Sequence, residues 1–229
     1  MTMNLQHTTK VLTNSADRVV AKPRLSVDLQ VLADMGQHRS FRKDAVMVNE
    51  GALGDSLYIL IQGRARVFSA STSGKEITLG TVLAGDFFGE MALDGGTRAA
   101  TVEALEPCLC AVVPNAHVLG FIRDNSEFAI HLLQKTIARA RASTVAARDM
   151  ALLDVYERLA QTLNHLAKVT AADNAPKTID PLITHGELAG HVGASREMVS
   201  KLMKDLERGG YIQVNTRQIT LLKKLPAKW

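Results

Sequence analysis

Along the first half of the chain the apolar residues come in short runs cut by turn residues. Between residues 38 and 113 the runs "SLYILIQG", "ARVFSA", "KEITLGTVL", "AATVEA" and "LCAVV" are rich in β-branched and aromatic side chains. The segments "NEGALGDS", "STSG", "AGD" and "DGGT" separate them. Many short strands at even spacing predict a small antiparallel barrel or sandwich. Ahead of it, Ser26 stands where a helix cap belongs, and Val27, Leu29, Val31 and Leu32 give an apolar side to a short helix over 26–35. Behind it, Pro114 closes the β region and Asn115 is placed to cap a helix through about Ile122. Residues 1–25 show no period and are assigned no element, only an N-terminal tail.

The pattern then changes. No Gly or Pro occurs over 126–168, and Ile130, Leu133, Ile137, Ala140, Thr144, Ala147 and Ala151 follow in steps of three and four. That is the seam of a coiled coil. Sustained over three heptads, it predicts a dimerisation helix over 126–152. Three alanines and a threonine among the seven positions mean that each contact buries little area, so the pairing is adjustable. A bend near "DMALLDV" separates this helix from a second over 154–168, and "TAADNAPKTIDP" reads as a linker.

In the last quarter two short apolar faces flank a glycine. Thr184 precedes Glu187 by three positions, a capping box that opens a helix burying Leu188, Ala189 and Val192. Gly193 supplies the turn, and Ser195 caps a second helix with Val199, Leu202, Met203 and Leu206 inside. Gly209 and Gly210 end it, and "YIQV" and "RQITLL" joined by "NT" make a hairpin. The pattern is a helix-turn-helix with a wing. Arg196, Glu197, Ser200 and Lys201 stand opposite the apolar face, at the end of the second helix that meets base edges in such motifs. Arg and Lys donate to guanine, and Glu accepts from cytosine. His185 and His191 flank the first helix six apart, which is not the spacing of a metal pair, and read as surface or backbone-contacting groups.

Charge supports this reading. The net +4 lies wholly in residues 182–229, with eight Lys or Arg against four Asp or Glu, and the rest of the chain is neutral. A compact basic segment suits an anionic partner, here double-stranded DNA. At 229 residues and 46% hydrophobic, the chain has room for a sizeable core. No apolar run nears the roughly 20 residues of a membrane span, and the N-terminus has no basic start followed by an apolar block. A cytoplasmic protein without membrane contact is expected. Cys108 and Cys110 lie two apart on one predicted strand, an arrangement for packing, and too few soft ligands for a zinc or iron–sulfur site.

Within the β region "FFGEMALDGGTRAATVEA", residues 87–104, holds Glu90 and Arg98 on a loop rich in glycine. Gly89 permits close backbone approach, and a helical turn from Glu90 offers N–H groups to an anion. Arg98 presents a bidentate fork suited to phosphate, and Glu90 accepts hydrogen bonds from sugar hydroxyls. A plain Glu–Arg salt bridge in a loop is the alternative. An enzyme would require a base, nucleophile or metal beside them, and none is found.

"FGEMAL…RAATVEA" resembles the phosphate-binding cassette of cyclic-nucleotide-binding domains. "LLDVYERLAQTL" and "GASREMVSKLMKDLERGGYI" resemble the hinge and recognition helices of the catabolite activator/fumarate–nitrate regulator family of bacterial transcription factors. The resemblance runs from about residue 26 to 222. It implies an α+β architecture: an N-terminal antiparallel β-roll over 26–125 that binds a cyclic nucleotide, the long dimerisation helix over 126–152, and a C-terminal winged helix-turn-helix over 153–229. It implies a homodimer on a two-fold operator, contact with RNA polymerase, and control by cyclic AMP. By position Glu90 takes the ribose 2′-hydroxyl and Arg98 the phosphate, with Gly89, Met91 and Ala99 completing the cassette. Ser143 and Thr144 fall where the cyclic-AMP receptor branch contacts the purine. Ser195, Arg196, Glu197, Ser200 and Lys201 make the DNA surface. Three features depart from the pattern. The loop from Glu90 to Arg98 is about a residue or two short, Ala99 replaces a hydroxyl residue, and Lys201 replaces an arginine while Ser200 is similar to the oxygen-sensing branch. The cysteine cluster of the iron–sulfur branch is absent, and no placed His/Cys pair supports haem. Other effectors such as cyclic di-GMP, ligand independence, and a nucleotide-binding subunit that docks a protein partner remain as alternatives.

Overall fold

The computed structural model describes residues 25–170, 177–179, 183–216 and 218–228. The N-terminal tail falls outside the described residues, apart from its last residue. Helix α1, Val27–Asp34, starts at Ser26, whose side chain accepts from the Leu29 N–H. It buries Leu29, Leu32 and Ala33, whereas Val27 and Val31 face outward.

Eight strands follow: β1 Gln37–Phe41, β2 Val46–Val48, β3 Ser56–Gln62, β4 Arg64–Ala70, β5 Glu76–Leu83, β6 Phe87–Phe88, β7 Thr101–Ala104 and β8 Cys108–Pro114. They pair into two four-stranded antiparallel sheets, β1-β8-β3-β6 and β2-β7-β4-β5. Strand β3 explains its own unbroken apolar run. Tyr58 and Leu60 pack toward the second sheet, while Leu57 and Ile59 pack outward under helices, so both faces are covered. Cys108 and Cys110 share the inner face as free thiols, and burial pushes the Cys110 thiol up to about 12.

Helix α2, Asn115–Asp124, covers the outer face with Val118 and Phe121. Its N-cap is Pro114, and the Asn115 side chain does not cap. The Asn115 amide instead donates to the carbonyls of Gly54 and Ala92, at 3.1 and 3.0 Å. Cap propensity is a local preference, and two buried carbonyls from distant loops outweigh it here. Helix α3, Ser126–Leu152, is anchored at its start by Phe128, the one buried residue in its 27. That ring packs edge-on to Phe121 at 5.3 Å. Beyond it the seam positions lie open, with Ile130 55% and Leu133 58% exposed. Leu153, in extended conformation, breaks the helix.

Helix α4, Val155–Thr170, then begins a separate core. Part of the expected linker is a strand: β9, Lys177–Ile179, pairs with β11, Ile219–Leu221, beside β10, Ile212–Val214. Three residues without alternation carry no strand signal, and the wing edge alone recruits them. Helix α5, His185–Val192, has the full capping box and ends on Gly193 in the left-handed region. Helix α6, Arg196–Arg208, is capped by Ser195 and buries Val199, Met203 and Leu206 against α5 and α4.

The C-terminal unit touches the roll directly. Helix α5 packs on β5, and a Cβ at Gly190 would stand 2.5 Å from Thr78 Oγ1. A Cβ at Gly193 would meet Met150 Cε of α3 at 2.8 Å. Bare backbone permits this close approach. His191, half-buried on α5, has its pKa lowered by burial, which the Glu187 carboxylate only partly opposes. A histidine that prefers neutrality when folded contributes stability above its ordinary pKa of about 6.5, and that stability is lost as pH falls through the lowered value. Thermal melts should therefore show destabilisation below about pH 6.5 that His191→Gln reduces. An unchanged acid limb in the variant would remove His191 as its source.

Candidate functional site

Among the described residues the buried polar or charged side chains are three: Ser56, Glu90 and Arg98. All three converge on one place. The two-residue strand β6 ends at Gly89, whose φ of 90° favours glycine, and Glu90–Ala92 form a single 3-10 turn. A Cβ at Gly89 would lie 2.5 Å from Arg98 Nη1. The bare glycine lets Arg98 Nη1 donate to the Gly89 carbonyl at 3.0 Å. Arg98 Nη2 lies 3.4 Å from Ser56 Oγ. The backbone on either side of Arg98 is tied to the loop before β3: Arg98 N–H donates to Ala52, and the Arg98 carbonyl accepts from Gly51. Asn115 holds the other end of the turn through Ala92.

Arg98 is 6% exposed, and among the described residues one carboxylate comes within 4 Å of it, the exposed Asp55 at 3.9 Å. A guanidinium so buried and so loosely paired is costly unless an anion arrives. Glu90, 9% exposed, is differently placed. Its Oε2 lies 2.7 Å from Nη1 of Arg139 on α3. Arg139 also donates to the Phe87 carbonyl, and Lys135 Nζ, one turn earlier, binds Asp86 Oδ2 at 3.0 Å. The sequence reading did not include Arg139, Lys135 or Asp86. Lys135 and Arg139 stand on a face of α3 offset from the heptad seam, with Phe128 and His131 against Phe87 before them, and Asp86 directly precedes β6.

These groups surround a cavity of about 530 Å³. Gly89, Glu90, Met91, Arg98, Ala99 and Ser143 all line it, with Leu79, Gly80, Thr81 and Val82 of β5 and Ala138 and Ala142 of α3. Thr144 is not among the lining residues. It is exposed, and its hydroxyl donates back to the Ala140 carbonyl.

At the other end of the chain Ser195 caps α6 by accepting from the Met198 N–H. Arg196, Glu197 and Lys201 are exposed along the open side. Hydrogen bonds from its own backbone and from Ser195 hold the Glu197 carboxyl below the usual range, so it stays an acceptor. Ser200 and His185 depart from expectation. Ser200 is half-buried, and its hydroxyl lies 2.9 Å from Nδ1 of His185, so this histidine bonds a side chain on the neighbouring helix.

Comparison with known proteins finds two family matches. Residues 38–125 match the cyclic nucleotide-binding domain and residues 157–225 the Crp-like helix-turn-helix domain. The cAMP-activated global transcriptional regulator CRP of Pasteurella multocida is 32% identical over 179 residues, covering 77% of this chain and 86% of that one. The chain belongs to the CRP/FNR family. The cAMP-activated regulator Vfr of Pseudomonas aeruginosa is 30% identical over 188 residues, covering 80% and 88% of the two chains. The c-di-GMP-responsive regulator CLP of Xanthomonas campestris superposes with a TM-score of 0.75 at 23% identity, over 86% of this chain and 98% of that one, a likeness of fold. CRP/FNR proteins are DNA-binding transcription regulators, not enzymes, and this member pairs a cyclic nucleotide-binding domain with a helix-turn-helix domain. Among the described residues no helix is long and apolar enough to cross a membrane.

Proposed function

We propose that this CRP/FNR regulator is a homodimer whose affinity for a two-fold operator is raised by a cyclic mononucleotide, with cyclic AMP the leading candidate. It acts in the cytoplasm and meets RNA polymerase at its promoters. The observation that carries the ligand reading is the buried, loosely paired Arg98, which lines one cavity together with Glu90. The charges lining or bordering that cavity are Arg98, Arg139 and Lys135 against Glu90 and Asp86. One positive charge remains, the complement of one phosphodiester. A cyclic dinucleotide brings two phosphates and finds no second unpaired cation among the residues that line the cavity. Titration calorimetry with cyclic AMP, cyclic GMP and cyclic di-GMP tests this. Tighter binding of the dinucleotide would overturn it.

The dimer rests on α3. A helix of 27 residues with one buried side chain and an open Ile130–Leu133–Ile137 stripe is stable only when that stripe is covered. The same helix carries Arg139 and Ser143 on its cavity side, so pairing and ligand binding act on one rigid element. Strand β5 gives a second route, because it lines the cavity at Leu79–Val82 and touches α5 at Thr78. Gly190→Val is expected to push α5 off β5 and lower the nucleotide's enhancement of DNA binding. Operator affinity with and without nucleotide reads this out, and a wild-type ratio would leave α3 as the sole route.

A further inference from the structure

Three threonine hydroxyls on the helices turn back on their own backbone: Thr136, Thr144 and Thr162 each donate to the carbonyl four residues before. Ser200 on α6 does otherwise. Its Oγ reaches across to α5 and meets His185 Nδ1 at 2.9 Å, fifteen residues away in sequence. The residues on both sides of His185 are fixed. Thr184 Oγ1 accepts from Glu187 N–H at 3.1 Å, Glu187 Oε2 accepts from Thr184 N–H at 2.7 Å, and Leu188 is fully buried behind them. Arg158 Nε holds the far end of α5 at the Val192 carbonyl, 2.8 Å away. The imidazole therefore projects from a rigid base.

A serine hydroxyl has one proton and two lone pairs. Left free, it rotates to suit either a donor or an acceptor on a base edge and discriminates poorly. Once an imidazole nitrogen occupies one of these capacities, the hydroxyl presents a restricted set to whatever lies in front of α6. If Nδ1 accepts, Ser200 offers only lone pairs. If Nδ1–H donates, the serine proton is directed outward. In the first case only acceptor capacity remains; in the second one lone pair is consumed and the proton is turned away from His185.

We propose that His185 is a specificity-positioning residue of the DNA surface: it binds the Ser200 hydroxyl and restricts the hydrogen-bonding capacity that Ser200 shows to a base. This rests on the reading of Ser200 as a base-contacting residue. Binding sites are selected from randomised duplex DNA with the full-length protein, as wild type, Ser200→Ala, His185→Ala, His185→Asn and the double alanine variant, with Arg196→Ala alongside. Ser200→Ala should relax preference at one position of each half-site by about three- to tenfold, the worth of one hydrogen bond. His185→Ala should relax the same position and no other. The double variant should be no worse than either single, and His185→Asn, which keeps a polar atom near Nδ1, should restore part of the preference. Melting temperatures report folding, and if His185→Ala unfolds, the Asn and Ser200 variants carry the comparison. A wild-type motif in His185→Ala overturns the proposal. So does an equal loss on all sequences with a shallower salt dependence, which marks a phosphate contact. If Ser200→Ala keeps the motif while Arg196→Ala changes it, the reading helix stands and the role of His185 falls. If neither changes it, the base-reading assignment of α6 falls too, and His185 with it.

Discussion

Arg98→Ala is expected to lower cyclic-nucleotide affinity by two orders of magnitude or more while the β-roll stays folded. The guanidinium is among the most buried charges of the described residues, and its contacts include the Gly89 carbonyl, the Ser56 hydroxyl, the Tyr58 ring and a distant Asp55. A charge-assisted hydrogen bond contributes roughly 1.5–3 kcal/mol, so a two-pronged contact with phosphate corresponds to about 3 kcal/mol or more. That is a factor of at least about a hundred. Folding should suffer little, because removing a desolvated ion that lacks a close counter-ion also removes its desolvation cost. Arg98→Lys separates charge from geometry. It keeps the charge and loses the fork, and it should fall between wild type and alanine. Calorimetry reads the affinity and thermal melts read the fold. Equal nucleotide affinity in all three proteins would remove Arg98 from the binding site, and the cassette reading with it.

The elements that depend on local sequence were legible. Runs such as "SLYILIQG" and "LCAVV" became β3 and β8, the glycine-free stretch became α3 and α4, and the Thr184–Glu187 box opens α5 as its spacing demands. What escaped depends on partners distant in the chain. Asn115 looks like a cap, yet its amide is drawn to Gly54 and Ala92, more than twenty residues off. Strand β9 exists because β11 presents an edge, not because "KTI" has a pattern. At the cavity, Glu90 and Arg98 stood out because charges beside glycines and small residues are conspicuous. Arg139 did not, since an arginine in "TIARARAS" looks like any solvated helix position until the roll is laid against it. Ser143 and Thr144 are adjacent in sequence but point apart on the helix, and only Ser143 lines the cavity.

Arg139 is where the largest loss of coupling is expected. Its guanidinium joins the turn after β6 to α3 through Glu90 and the Phe87 carbonyl, so the ion pair fixes how α3 sits on the cavity. A ligand shifts an equilibrium only by binding two arrangements differently. A sugar hydroxyl that shares Glu90, or a phosphate near Arg139, changes the strength of that pair and so distinguishes arrangements that differ at α3. Arg139→Ala leaves Glu90 buried without its cation. Breaking a fully buried pair costs roughly 3–5 kcal/mol; with Arg139 about a third exposed, solvent screening brings this toward about 1–3 kcal/mol. Nucleotide affinity should fall about tenfold, because Arg98 remains. The nucleotide's enhancement of operator binding should fall further, toward no enhancement. Thr144→Ala should keep much of the nucleotide affinity and lose less of the enhancement than Arg139→Ala, because the Thr144 hydroxyl must first leave the Ala140 carbonyl to reach a ligand in the partner subunit. A double-mutant cycle with Glu90→Gln and Arg139→Gln completes the test, since residues acting through one pair are non-additive. Operator affinity measured with and without nucleotide decides the matter: additive effects, or a wild-type ratio in Arg139→Ala, would move the coupling off this ion pair and onto the contact between β5 and α5.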